Sequence, residues 1–217
     1  MLLTLVRHGE SWGQIDNHYE ENPDPALTPL GERQAAATGR QLATEGITQI
    51  VASPMRRALA TAVAIAEACG IACIPVWPEI REGFTGRHWG MTSAELLAQF
   101  PRARLDEGVD EAAWRVGDAS FDAYWARCAV ALARVRESFN DHDRVVLVAH
   151  GGSCGVMLHQ LLGIPPTAAR AFNPPNCSLS RFRIEPDPTP TFAHDPLYPL
   201  ADVVVQGIAG VAHLVGV

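Results

Sequence analysis

Short apolar runs alternate with amphipathic stretches along most of the chain. Leu2–Val6 (LLTLV) is an apolar run that ends on a polar cluster. That is the pattern of a buried strand delivering residues to the carboxyl edge of a sheet. Residues 11–28 are polar, with Asn, Asp and Pro, and read as a loop. Thr28-Pro29 then opens a helix, Thr as cap and Pro in the first turn, that Gly46 closes. Ile47–Ala52 predicts a second strand. Ser53-Pro54 predicts the cap of a second helix, which stops at Gly70, and Ile71–Val76 a third strand.

This alternation predicts an α/β fold: a three-layer α/β/α sandwich around a mostly parallel central sheet. Residues 78–120 interrupt it with a helix-like MTSAELLAQF and a Gly/Asp-rich connector, and read as an inserted, lid-like segment of a single domain spanning 1–217. Beyond it, Phe121–Phe139 predicts a long helix, Val145–Ala149 a buried strand and Gly151–Leu162 the helix after it. Ser178–Ile184 alternates as a strand, and 186–201 is proline-rich loop. Val203–Val205 and Gly210–Val215 are expected to pair as a terminal hairpin.

Composition narrows the function. All 17 basic residues are Arg, so neither a Schiff-base lysine nor a P-loop lysine exists here. A net charge of −7 argues against a basic nucleic-acid-binding face. An anionic substrate must therefore be met by a local cluster of Arg and His. The five cysteines (Cys69, Cys73, Cys128, Cys154, Cys177) show no paired CxxC spacing and are read as reduced, mostly buried thiols. Met1 to Val6 is too short an apolar stretch for a signal peptide, and no run approaches the ~18 apolar residues of a membrane span. The expectation is a soluble cytoplasmic protein with no membrane and no nucleic-acid partner. A homo-oligomer is compatible with the sequence.

Two places share one geometry. Leu2–Val6 runs into Arg7-His8-Gly9, and Val145–Ala149 runs into His150-Gly151-Gly152. Each is an apolar strand ending on His-Gly, and ligands of open α/β sheets bind at such strand ends. A neutral imidazole is a good nucleophile near pH 7. Its attack on phosphorus gives a phosphohistidine and divides hydrolysis into two easier steps. The transferring phosphoryl is anionic, so catalysis rests on positioning and cationic clamping, for which the Arg fork is suited. Gly after each histidine lets backbone approach the anion, and a helix beginning at Gly151 aims its N–H groups at the same point.

RHGES at 7–11 resembles the signature of the histidine phosphatase superfamily, which includes the cofactor-dependent phosphoglycerate mutases. The resemblance continues through Leu27-Thr28-Pro29-Leu30-Gly31, Ser53-Pro54-Met55-Arg56-Arg57-Ala58, Ile80-Arg81-Glu82, His150-Gly151-Gly152 and Asn176-Cys177-Ser178. It implies His8 as the nucleophile that becomes phosphorylated, with Arg7, Arg57 and His150 as the phosphate pocket. Glu82 is the implied proton donor, with Glu79 as the alternative. Gln14, where the family commonly has Asn, is expected to contact phosphate, as is Gly151. No cofactor and no metal are called for.

The stretch from Gly90 to Ser138, with an internal Arg127, resembles the phosphatase branch and lacks the longer insertion of the mutases. The expected function is a metal-independent phosphomonoester hydrolase acting on small phosphorylated metabolites. The alternatives are a phosphoglycerate mutase-type phosphotransferase and a non-catalytic phospho-ligand binding module. His159 is read as structural. Trp77, Trp89, Trp114 and Trp125 are read as either core or an apolar substrate wall.

Overall fold

A computed structural model describes residues 1–16, 24–86, 90–166, 172–185 and 202–217. Its elements, in chain order, are β1 (Leu2–Arg7), α1 (Trp12–Asp16), α2 (Pro29–Ala43), β2 (Gln49–Ala52), α3 (Arg56–Cys69), β3 (Ile74–Pro75) and α4 (Ser93–Gln99). There follow β4 (Ala103–Arg104), α5 (Ala112–Arg115), α6 (Phe121–Ser138), β5 (Arg144–Ala149), α7 (Gly151–Leu161), β6 (Leu179–Ile184) and β7 (Val203–Gly210).

A five-stranded sheet, in the order β2-β5-β1-β6-β7, forms the centre among the described residues. β1, β5 and β2 are parallel, β6 runs antiparallel to β1, and β7 runs antiparallel to β6. The sheet is therefore mixed, with a parallel core, and β6 alone runs against the other strands.

Side chains alternate between the two faces of each strand, and this alternation sorts the core into two layers. Leu3, Leu5, Val145, Leu147, Ala149 and Phe182 pack against Cys128, Ala131 and Val135 of α6 and Met157 and Leu158 of α7. Val6, Ile50, Ala52, Val146 and Val148 pack on the other face against Leu42 of α2 and Ala58, Leu59, Ala62 and Ile65 of α3. Each buried Leu, Ile or Val contributes roughly 1.5–3 kcal/mol. The two layers together thus hold the ends of β1 and β5 rigidly.

Helix boundaries follow local chemistry. Thr28 caps α2 by accepting from Gly31 N at 3.0 Å, with Pro29 at the first position. Gly70 closes α3 in the left-handed region (φ 71°), donating to Ala66 O and Glu67 O.

Four expectations are revised. The loop at 11–28 opens with the short helix α1, while 17–23 lie outside the described residues. α3 begins at Arg56 with Met55 at its cap position, not at Ser53-Pro54, and the Ser53 hydroxyl lies 2.7 Å from His150 Nε2. Ile71–Val76 does not join the central sheet as a full strand. Only β3 is extended, pairing with β4, and it touches the sheet through one Ala52–Val76 bridge. Pro75, with no N–H to give, explains the failure to continue the ladder. The terminal hairpin is a single strand, β7, that pairs with β6, while Ala212–Leu214 forms a 3-10 turn against α2. The 186–201 loop lies outside the described residues.

The 78–120 segment is anchored by its middle. Met91, Leu96, Phe100 and Ala103 sit in the α3-side layer. Trp114, 1% exposed, donates from Nε1 to Met91 O at 2.9 Å.

Candidate active site

The parallel register pairs Arg7 with Ala149, so His8 and His150 leave adjacent strand ends together. His8 N donates to Ala149 O at 2.9 Å, and the two imidazoles lie edge to face with centroids 5.1 Å apart.

The tautomer of His8 follows from its partners. Nδ1 lies 2.6 Å from Gly9 O, and a carbonyl only accepts, so Nδ1 carries the proton. Nε2 is left with its lone pair, to which Arg57 Nε donates at 3.1 Å. Burial, and then the Arg57 charge, hold the His8 pKa well below 6.5 against the opposing Gly9 hydrogen bond. The ring is therefore neutral at pH 7, its reactive nitrogen pointed at a guanidinium. His150 is fully buried, with Nε2 2.7 Å from Ser53 Oγ. Burial, then Arg57 and His8, pull its pKa well below 6.5 as well. Its Nδ1 is buried without a hydrogen-bond partner among the described residues.

Arg57 stands in the first turn of α3, 4% exposed, with Asp24 at 3.7 Å and Met55 Sδ at 3.3 Å. Its neighbour Arg56 sits about 100° further round the helix, and its backbone N–H binds Asp24 Oδ1 instead. Arg7 donates from NH1 to Pro174 O at 2.7 Å, while its buried Nε has no partner among the described residues. Gly151 makes room for it, since a Cβ there would fall 3.2 Å from Arg7 Cζ. Buried polar groups are nearly always paired. One left unpaired among the described residues, Arg7 Nε beside Gly151 at the start of α7, is a donor suited to an anion.

Glu82 closes the other side. Its Oε1 accepts from Gly83 N and from Tyr124 Oη, each at 2.9 Å, and its Oε2 accepts from Gly152 N at 3.0 Å. A Cβ on Gly152 would lie 2.4 Å from Glu82 Oε1, so only glycine admits the carboxylate here. Burial, and then the Glu82 charge, push the Tyr124 pKa far up, which keeps its hydroxyl a donor. Glu79 is elsewhere: its carboxylate pairs with Arg134 at 3.2 Å, and that guanidinium stacks on Trp77. Of the two glutamates, the structure brings Glu82 to the His150-Gly151-Gly152 turn.

Gln14 bonds Asn176, not a histidine. The two amides exchange hydrogen bonds of 3.0 Å each, and Asn176 Nδ2 also donates to His8 O at 2.9 Å. Glu10 accepts from Thr28 Oγ1 at 2.7 Å, a local bond in the same loop.

Sequence reasoning gave no role to the residues that hold Glu82. Arg81 NH1 donates to Glu82 O, and Arg127 NH1 donates to Glu79 O and Arg81 O. Asp118 bridges both guanidiniums, 2.9 Å from Arg81 NH1 and from Arg127 NH2. Burial raises the Asp118 pKa, but the bonds from Arg127 and Arg81 outweigh that and keep it below the ordinary value. The signal was thin: one Asp in a Gly/Asp-rich connector, nine residues before Arg127 and 37 after Arg81.

Cys154 is buried beside this turn, and burial pushes its thiol pKa up, so it stays protonated. Trp77 and Trp114 are core, Trp125 faces a cavity beside Glu82, and Trp89 lies outside the described residues. Among the described residues no group of three or more His, Cys, Asp or Glu side chains is arranged to hold a metal ion. No helix among them is long and apolar enough to cross a membrane.

Paired strand-end histidines, one bonded by Arg57 and with Arg7 beside the Gly151 turn, define a class, and residues 3–191 match the model of the histidine phosphatase superfamily (branch 1). The chain belongs to that family. It is 34% identical over 181 residues to the probable phosphoglycerate mutase GpmB of Erwinia tasmaniensis, covering 82% of each protein. It is 35% identical over 188 residues to the probable phosphoglycerate mutase GpmB of Klebsiella pneumoniae, covering 85% of each. Among solved structures it is similar to a mycobacterial glucosyl-3-phosphoglycerate phosphatase complexed with VO3. That match has 25% identity, a TM-score of 0.66, and coverage of 95% of this chain and 98% of that one. A structure described as mycobacterial hydrolase 1 matches with 26% identity, a TM-score of 0.68, and coverage of 97% and 99%.

Proposed function

We propose that the protein is a metal-independent phosphomonoester hydrolase that works through a phosphohistidine on His8, with small phosphorylated metabolites as substrates. The observation that carries this reading is the fixed tautomer of His8: proton on Nδ1, lone pair on Nε2, neutral at pH 7. Nε2 attacks phosphorus and the bond to the leaving oxygen breaks. Arg7, Arg57 and His150 take the charge that spreads over the equatorial oxygens. Glu82 takes up a proton as the anionic substrate binds and gives it to the leaving oxygen. The same carboxylate then takes a proton from water as that oxygen attacks phosphorus, the P–N bond breaks, and phosphate leaves.

Gln14 acts through Asn176, supporting the turn under His8, in this reading. The mutase alternative draws on the names of the sequence relatives. It uses the same phosphoenzyme but returns the phosphoryl group to a bound acceptor.

The test is rapid quenching during turnover of a panel that includes 3-phosphoglycerate and an aryl phosphate, in the presence of EDTA. Wild-type protein is expected to carry acid-labile, base-stable phosphate and to release free phosphate. His8→Ala is expected to carry none and to lose activity by about 10³-fold or more. Isomerised product without free phosphate would transfer the assignment to the mutase, and full activity in His8→Ala would end both.

A further inference from the structure

The two oxygens of Glu82 are not equivalent. Oε1 accepts two hydrogen bonds, from Gly83 N and from Tyr124 Oη, each at 2.9 Å. Oε2 accepts one among the described residues, from Gly152 N at 3.0 Å. An ionised carboxylate oxygen offers two lone-pair sites, and on Oε1 both are taken. A proton added to Oε1 would displace one of those donors and leave it unpaired, which is costly. Oε2 is therefore the oxygen that carries the proton, on the side of the carboxylate bonded to the start of α7.

Of the two donors on Oε1, Gly83 N is backbone and would meet any residue placed at 82. The Tyr124 hydroxyl is brought from α6, 42 residues further along the chain. Two glycines leave room for it. A Cβ on Gly83 would lie 2.5 Å from Tyr124 Cε1, and a Cβ on Gly152 would lie 2.8 Å from Tyr124 Oη. The Arg127 guanidinium covers the ring, its Cζ 4.9 Å from the centroid, and Phe121 meets the ring edge to face at 6.4 Å. A donor held this firmly stabilises the carboxylate that appears as the proton leaves, without having to reorganise.

We propose that Tyr124 is a positioning residue for proton delivery. Its hydroxyl occupies Glu82 Oε1, so that the proton passes from Oε2 to the leaving oxygen as the P–O bond breaks, and it steadies the carboxylate left behind. The proposal rests on the phosphohistidine reading with Glu82 as its acid. Tyr124 acts through Glu82 and not on the phosphoryl group.

The test is the rate of phosphoenzyme formation, by rapid quench, from phenyl phosphate and from 4-nitrophenyl phosphate. The two esters are alike around phosphorus, and phenoxide is much the poorer leaving group. Wild-type protein is compared with Tyr124→Phe, Glu82→Gln and the double variant. Tyr124→Phe keeps the ring and is expected to lose about tenfold on the phenyl ester, the worth of one hydrogen bond to a charged group. On the nitrophenyl ester it should lose less than about twofold. Glu82→Gln is expected to lose about 10²-fold or more on the phenyl ester. With Gln at 82, adding Tyr124→Phe should cost less than about twofold on either ester, because the two side chains act as one unit. An equal loss on both esters, or a tenfold loss that persists in the Glu82→Gln background, would make Tyr124 merely structural and overturn the proposal. A selective loss in Glu82→Gln with none in Tyr124→Phe would remove this assignment and leave the phosphohistidine reading intact. If Glu82→Gln slows neither ester, Glu82 is not the acid and the role of Tyr124 falls with it. Wild-type protein that forms no phosphoenzyme would remove the phosphohistidine reading itself.

Discussion

The chemistry of the site is decided by hydrogen bonds of single side chains. The Gly9 carbonyl fixes the His8 tautomer, and burial with Arg57 keeps the ring neutral. This has a consequence for stability. His8 and His150 both have folded-state pKa values below that of an unfolded histidine, about 6.5. Below that pH the unfolded chain takes up protons that the folded chain does not, so folding loses stability as pH falls. The urea midpoint is expected to be flat with respect to these groups above about pH 6.5 and to decline below it. In a His8→Asn/His150→Asn double variant the decline should be shallower. An equal slope in both proteins would show that the two rings are not the groups involved. A bound phosphoryl dianion opposes the same burial term, so ligand binding should draw protons in.

Arg57 was read from the resemblance of Ser53–Ala58 to the family, whereas Arg7, His8 and His150 were readable because each sits at the end of an apolar run. Gln14 and Ser53 were not. Their amide and hydroxyl have several partners in reach, and only the folded chain selects Asn176 for one and His150 for the other.

Among the elements, the segment carrying Glu82 is the least regular and the most elaborately held. Residues 79–82 have no strand pairing, and their carbonyls are bound by Arg81 and Arg127, which Asp118 neutralises. Asp118→Asn would leave two buried guanidiniums side by side without a counter-charge. Breaking such a buried arrangement costs roughly 3–5 kcal/mol. The variant should melt at lower temperature, and under the proposed role of Glu82 its kcat should fall more for alkyl than for nitrophenyl esters, since only poor leaving groups need a proton. An equal fall for both would separate Asp118 from proton delivery. Sequence pattern located α2, α3, α6, β5 and α7 to within a few residues, since caps and periodicity are local. It extended β3 too far, because Ile71–Val76 carries strand-like residues while Pro75 interrupts their pairing. It also missed that β7 pairs with β6. Val203–Gly210 alternates weakly, and its register against Leu179–Ile184 is broken by an irregularity near Arg181.

At the scale of the molecule, the sandwich was legible because strand faces alternate between two helical layers, and the composition supplies enough apolar residues for both. The reversed direction of β6 was not legible, since nothing in LSRFRI says which way it runs. That reversal brings the turn at Asn176 back to the mouth of β1, where Cys177 N donates to Arg7 O at 2.9 Å. His8 is thereby fixed by parts of the chain far from it. β1, among the first residues, takes its pairing partners from 144–149 on one side and 179–183 on the other. Closing such distant pairs precedes any reward from them, so folds of this kind form slowly. On a ribosome His8 waits until the partners of β1, residues 144–149 and 179–183, have emerged. Refolding from urea should restore phosphoenzyme formation in the same late phase as the full sheet signal. An earlier phase with activity would mean that β1 finds its site without β6. β1 is thus made before the strands that seat it, and a chain cut short of β6 carries His8 without the setting that the proposed chemistry needs.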